Sequence, residues 1–174
     1  EGIRKEIENA GMQCVLLEKY TEKRQLLDAI RDAEGVIVRS DILDAEVFDA
    51  AKKLKVAVRA GAGYDNIDLK AATEHGVCVM NTPGQNSNAV AELVFGMLVM
   101  TIRNGFNGTS GTELKGKKLG IHAFGQVGRN VARIAKGFGM EVYAFDPYCT
   151  DEKIREAGVT PVHSVDELYS GCQY

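Results

Sequence analysis

The chain reads as an α/β protein made of two doubly wound parallel-sheet domains, and three features of its sequence predict this. Short, nearly continuous apolar runs at 35–38, 55–58, 77–80, 119–121 and 141–145 alternate with segments whose apolar residues recur at helical spacing. That alternation marks parallel strands covered on both faces by crossover helices. Pro83 and Gly84 interrupt it near the middle, which divides the chain into domains at 1–84 and 85–174. The stretch 119–146 then carries strand, glycine turn, helix, strand and a terminal carboxylate, in the order of a dinucleotide-binding unit.

The first domain opens with a helical pattern (Ile3, Ile7, Ala10), followed by an expected strand at 13–17 and a helix at 22–33 with Leu26, Leu27 and Ile30 on one face. The next strand, 35–38, ends in Arg39 and Ser40; a helix at 45–54 leads to the strand 55–58 and the glycine-bearing loop from Arg59 to Asp68. A helix at 69–75, closed by Gly76, precedes the strand 77–80 and Asn81. In such sheets ligands bind beyond the carboxyl ends of the strands. Arg39, Ser40, Arg59, Ala60, Gly61, Ala62, Gly63 and Asn81 all fall at that edge. A doubly wound half ordinarily starts with a strand, so the first strand is expected to be missing, and the end at Gly171 to Tyr174 falls where another strand should begin. Both domains are expected to be incomplete in these residues.

The second domain starts with a long apolar helix at 87–103, capped by Asn86 or Ser87. Val90, Leu93, Val94, Met97 and Leu98 are its expected core positions. After a polar, glycine-rich connector at 105–111 comes the strand at 118 and the turn Ala123, Phe124, Gly125, Gln126, Val127, Gly128. This is G-x-G-x-x-G with alanine in the first position, which the turn accepts if φ stays negative. Val131, Ile134, Ala135 and Phe138 continue as a helix that Gly139 stops, and the strand 141–145 delivers Asp146 about twenty residues after the turn, as the fingerprint requires. Glycine lets the backbone approach a pyrophosphate, the helix start offers free N–H groups, and the carboxylate accepts the ribose hydroxyls. Because no arginine follows Asp146 and Pro147, the expected cofactor is NAD rather than NADP. A helix at 152–157, a strand at 160–162 and a helix after Ser164, with Glu167 completing a capping box, close the chain. His75, His122 and His163 read as a helix end, a strand residue and a loop residue, and none as catalytic.

Composition narrows the function classes. At 174 residues, 45% hydrophobic and 26% charged, the chain has the make-up of a soluble globular protein with a real core. Its net charge of −3, with Lys115, Lys117 and Lys118 as the only basic cluster, argues against a nucleic-acid partner. Segment 89–102 is apolar but too short to cross a bilayer, so no membrane partner is expected. Cys14, Cys78, Cys149 and Cys172 show no metal-ligand spacing and read as reduced core thiols of a cytoplasmic protein, with no metal site.

Longer strings carry a family resemblance. VIVRS (36–40), VAVRAGAGYDNIDLKAATEHGVCVMNTPGQNS (56–87), AELVFGMLV (91–99), GTELKGKKLGI (111–121) and the fingerprint ending YAFDP resemble the D-isomer-specific 2-hydroxyacid dehydrogenases over nearly the whole chain. The resemblance implies a flavodoxin-like substrate domain and a Rossmann NAD-binding domain with the active site in the cleft between them. It implies oxidation of a phosphorylated 2-hydroxy acid, 3-phosphoglycerate, to 3-phosphohydroxypyruvate in serine biosynthesis. Arg39, Ser40 and Arg59 would hold the phosphate and carboxylate with the N–H groups of residues 60–63, while Asn81 and Asn86 would line the cleft. The family's catalytic arginine, glutamate and histidine would follow Tyr174, and a homodimer would form through the 87–103 region. Two other readings are a glyoxylate or hydroxypyruvate reductase, which the two arginines disfavour, and an NAD-sensing co-repressor.

Overall fold

Val36, Val38, Ala57 and Val79 point to one side of a three-stranded sheet, and that side is where the first core forms. A computed structural model describes residues 2–174, which divide into one unit through Pro83 and another from Gly84. In the first unit, β1 (Gly35–Val38), β2 (Val56–Arg59) and β3 (Cys78–Met80) lie side by side in chain order, all parallel. The connections between them are α3 (Ala45–Ala50) and α4 (Leu69–Glu74). Carboxylates start both: Asp44 accepts the Val47 N–H at 3.2 Å and Asp68 the Ala71 N–H at 3.0 Å, each satisfying a donor that the helix leaves free. Val47 and Phe48 of α3, Ala71 and Ala72 of α4, and Leu26 and Ile30 of α2 (Lys23–Ile30) complete the core.

Three expectations fail in this unit. Residues 13–17 form no strand; Val15 and Leu16 are exposed. In a flavodoxin-like order the second strand pairs only with the first, and no strand precedes residue 13 among the described residues. The sheet is also not covered on both faces: Ile37, Val58 and Met80 form a row on the other side, where Ile37 and Met80 stay 45% and 54% exposed. The helix α1 (Gly2–Asn9) buries no residue and so covers nothing there. Neither thiol of this unit, Cys14 nor Cys78, is a buried core residue, and Cys78, on β3, is exposed.

In the second unit β4 (Lys118–His122), β5 (Glu141–Phe145) and β6 (Thr160–Pro161) are again parallel neighbours. The helices α5 (Ser87–Ile102) and α6 (Gln126–Gly137) cover one face, joining Ala91, Phe95, Val131 and Ala135 to Leu119, Ile121, Val142 and Ala144. Between β5 and β6 runs α7 (Asp151–Glu156), which buries Ile154 in the same core. The opposite face is covered by α8 (Val165–Gly171), whose Leu168 Cγ would stand 3.0 Å from a Cβ at Gly120. Ser164 caps α8 by accepting the Glu167 N–H, while the Glu167 carboxylate reaches back one residue further than expected, to the His163 N–H at 2.8 Å.

The helix α5 buries only part of the face expected. Val94 and Leu98 pack against the core beside the buried Ala91 and Phe95, whereas Val90, Leu93, Met97 and Met100 are exposed. A helix apolar all round gives no period from which to choose. At the end of the chain, Tyr174 pairs with β4 on the side away from β5: its N–H donates to the Lys118 carbonyl at 3.3 Å and its carbonyl accepts the Gly120 N–H at 2.8 Å. The chain thus builds outward from β4 through β5 to β6, then returns to the other edge of β4. This reversal creates a crevice beyond the carboxyl end of β4, where open α/β sheets hold their ligands.

Candidate functional sites: a glycine turn and a cationic strand edge

Residues 123–128 fill that crevice. Ala123 has φ +83°, in the left-handed region, and so corrects the expectation of a negative value. The turn must bend there because Ala123 N–H extends the β4–β5 pairing to the Phe145 carbonyl at 2.8 Å before the chain folds back into α6. Gly125 is the N-cap of α6, and a Cβ on it would meet nothing within 4 Å, which leaves open space against the backbone. A Cβ on Gly128 would strike the Ala123 carbonyl oxygen and stand 3.1 Å from Ile121 Cγ2, so this glycine lets α6 pack against β4. The first-turn N–H groups of Gln126, Val127 and Gly128 have no intrahelical acceptors, as at any helix start.

Asp146 stands at the end of β5 and is bound to the turn. One carboxylate oxygen accepts the Phe124 N–H at 2.6 Å and the other the Tyr148 N–H at 2.8 Å. The Tyr148 and Phe124 N–H groups, in that order, hold its pKa below the usual carboxylate value. Each oxygen keeps a lone pair for a further donor. Pro147 and Tyr148 are exposed beside it. Arg129, which the sequence reading passed over, lies with its guanidinium 5.3 Å from the centre of the buried Phe124 ring, and its Nε donates to the Phe124 carbonyl at 3.3 Å. Its position directly after the third fingerprint residue was the only available signal.

In the first unit, Arg39 and Ser40 are exposed at the end of β1, and Arg59 ends β2. The loop after Arg59 is pinned on both sides. Ala60 donates to the Val38 carbonyl at 2.7 Å, Gly61 to the Arg59 carbonyl at 2.8 Å, and the Gly61 carbonyl accepts the Thr82 N–H at 2.9 Å. Asn81 Nδ2 donates to the Ala62 carbonyl at 2.8 Å. Among the described residues, the N–H groups of Ala62 and Gly63 have no protein acceptor, and neither Arg39 nor Arg59 is ion-paired. Beside Arg39 and Ser40 opens a cavity of about 1020 Å³, also lined by Leu17, Tyr20, Lys23 and Asp41. Tyr20 donates to Asp41 at 2.6 Å, and that bond, with burial, pushes its pKa up to about 12. Asn86 occupies the N-cap of α5 but its side chain makes no capping bond.

Two of the histidines stand apart from both places, and the third, His122, ends β4 directly before the turn. His75 ends α4, at the opposite edge of the sheet from Arg59, with Nδ1 2.8 Å from the Ala71 carbonyl and Nε2 3.0 Å from Asp49. His122 packs against Phe145 and Tyr169, and His163 Nε2 lies 3.8 Å from Asp151. Among the described residues no cluster of three or more His, Cys, Asp or Glu side chains could hold a metal ion, and no helix is long and apolar enough to cross a membrane.

Comparison with known proteins gives this arrangement its family. The model of the D-isomer specific 2-hydroxyacid dehydrogenase catalytic domain matches residues 2–173. The chain belongs to this family. It is 40% identical to D-3-phosphoglycerate dehydrogenase of Rattus norvegicus over 98% of its length and 34% of the relative's. It is 38% identical to hydroxypyruvate reductase of Thermotoga maritima over 74% of this chain and 47% of that one. Among solved structures, NAD+-bound 3-phosphoglycerate dehydrogenase of Entamoeba histolytica superimposes with a TM-score of 0.88 at 48% identity, covering 99% of this chain and 55% of that one. This dehydrogenase-family chain therefore spans about a third of the length of the curated phosphoglycerate dehydrogenase it matches.

Proposed function

We propose that these residues supply the substrate-anion site and the dinucleotide half-site of an NAD-dependent dehydrogenase that oxidises 3-phosphoglycerate to 3-phosphohydroxypyruvate, the first step of serine synthesis. The observation that carries this reading is the Asp146 carboxylate, held at the glycine turn by the Phe124 N–H with lone pairs to spare. A ribose diol fits those lone pairs, and the open space at Gly125 fits a pyrophosphate on the start of α6. The nicotinamide, when bound, supplies the hydride acceptor. Ala123, Gln126, Val127, Gly128, Pro147 and Asp146 bind and orient the dinucleotide.

The substrate's charge falls to the first unit. Among the described residues Arg39 and Arg59 have no ion-pair partner; their guanidinium groups suit two-point recognition of phosphate or carboxylate, and the N–H groups of Ala62 and Gly63 add donors for the same anion. Two such cations at one strand edge favour a phosphorylated 2-hydroxy acid over hydroxypyruvate. Ser40, Ala60, Gly61 and Asn81 shape that edge. The exposed stripe Val90, Leu93, Met97 and Met100 suits a second copy of the chain, as a homodimer contact. A reducing cytoplasm suits four unpaired thiols.

Calorimetric titration with NAD+ and NADP+ tests the cofactor assignment. Asp146 repels a 2′-phosphate, so NAD+ should bind at least tenfold more tightly, and Asp146→Ala should erase the preference. Equal or tighter binding of NADP+ overturns the reading.

A further inference from the structure

We propose that Gly61 is a positioning residue for Arg59, its missing Cβ being the seat in which the guanidinium rests. This builds on the reading of Arg59 as an anion-binding residue. The Arg59 side chain turns back over its own loop, and the three heavy atoms nearest to a Cβ at position 61 are its Nη1, Cζ and, at 3.2 Å, Nε. Outside residues 60–62, the three nearest atoms all belong to this one flexible side chain. The backbone itself does not require glycine: Gly61 is absent from the left-handed glycines, so an alanine is conformationally ordinary there.

The surrounding loop cannot move to make room. Its N–H groups at Ala60 and Gly61 and its carbonyls at Gly61 and Ala62 are all engaged, the last two by Thr82 and Asn81. What yields to a methyl group at 61 is therefore the flexible end of Arg59. In its seat, Arg59 buries Nε with no protein acceptor. A buried donor without a partner is costly, and a planar guanidinium held this way presents a fixed fork to an incoming anion. Gly61 thus sets where the cation waits before substrate arrives. The cost of ordering a long side chain is met in folding rather than in binding.

The test is Gly61→Ala in the intact protein, read in two independent ways. In ¹H–¹⁵N spectra of arginine side chains, with the Arg59 signal assigned by Arg59→Ala, the Arg59 Nε–H should exchange slowly in the parent and at least tenfold faster in Gly61→Ala. The melting temperature should stay unchanged. Kinetically, KM for 3-phosphoglycerate should rise about tenfold with kcat within twofold, and the double variant should match Arg59→Ala. An unaltered Nε–H exchange in Gly61→Ala, or losses that add in the double variant, overturns the proposal. If Arg59→Ala leaves KM unchanged while Nε–H exchange still responds to Gly61→Ala, Gly61 does position Arg59, and it is the anion role of Arg59 that fails.

Discussion

Ala123 holds a backbone angle of +83°, where an L-residue's Cβ crowds its own carbonyl at a cost of about 1–2 kcal/mol. Glycine is free of that strain but loses about 0.4–1 kcal/mol through the wider freedom of its unfolded chain. The first term is larger, so Ala123→Gly should stabilise the second unit by about 0.5–1 kcal/mol, measured by urea denaturation. Ala123→Val should destabilise it, because branching at Cβ worsens the same clash. A loss of stability in the glycine variant would show that the strain is absent. Asp146 should reveal itself through pH. Its folded pKa lies below the ordinary value, so its stabilisation is complete above the unfolded pKa and disappears as pH falls through the folded one. The parent should exceed Asp146→Asn by about 1–2 kcal/mol at neutral pH, and the gap should close below about pH 4. A gap that persists in acid means that the carboxylate's charge is not what holds the turn.

At the scale of elements, Gly128 marks the closest approach of α6 to β4. Gly128→Ala should force the helix outward and cost about 1–3 kcal/mol, with dinucleotide affinity falling alongside stability. Wild-type stability in that variant would mean that the helix has slack. Elements with a strong local signal were legible in the sequence. The apolar run 35–38 predicts β1 to the residue, and Ser164 and Gly139 start or end helices through their own side chain or backbone freedom. What could not be read depended on partners far along the chain. Segment 13–17 has strand composition but, among the described residues, no neighbour to pair with, so it forms no strand, and Val15, Leu16 and Leu17 are exposed. The buried face of α5 is fixed by Leu119, Ile121 and α6 rather than by its own nearly uniform apolar surface. The sign of φ at Ala123 follows from the β4–β5 register, which no spacing within the turn reports. Leu93→Arg tests the outward face: a homodimer should dissociate in light scattering with its helical content intact, and an unchanged mass would place the contact elsewhere.

At the scale of the whole molecule, the question is whether any of the three histidines, His75, His122 and His163, is set up as the base of the proposed reaction. Hydride leaves C2 of a 2-hydroxy acid only as the hydroxyl proton is taken up, so a positioned base is required and contributes about 10²–10⁴-fold in rate. Of the three histidine rings, that of His75 has the nearest carboxylate, Asp49 at 3.0 Å. The backbone carbonyl of Ala71 and Asp49, acting together, raise its pKa, which favours a charged ring that donates from both nitrogens rather than one that accepts a proton. It also lies at the far edge of the sheet from Arg59. His122 faces aromatic rings, and His163 neighbours Asp151 beside α7. Residues 1–174 on their own should therefore bind NAD+ but form no NADH from 3-phosphoglycerate, followed at 340 nm. A rate within tenfold of the Entamoeba histolytica relative would place the base inside these residues. His163→Ala and His75→Ala would then say which ring it is.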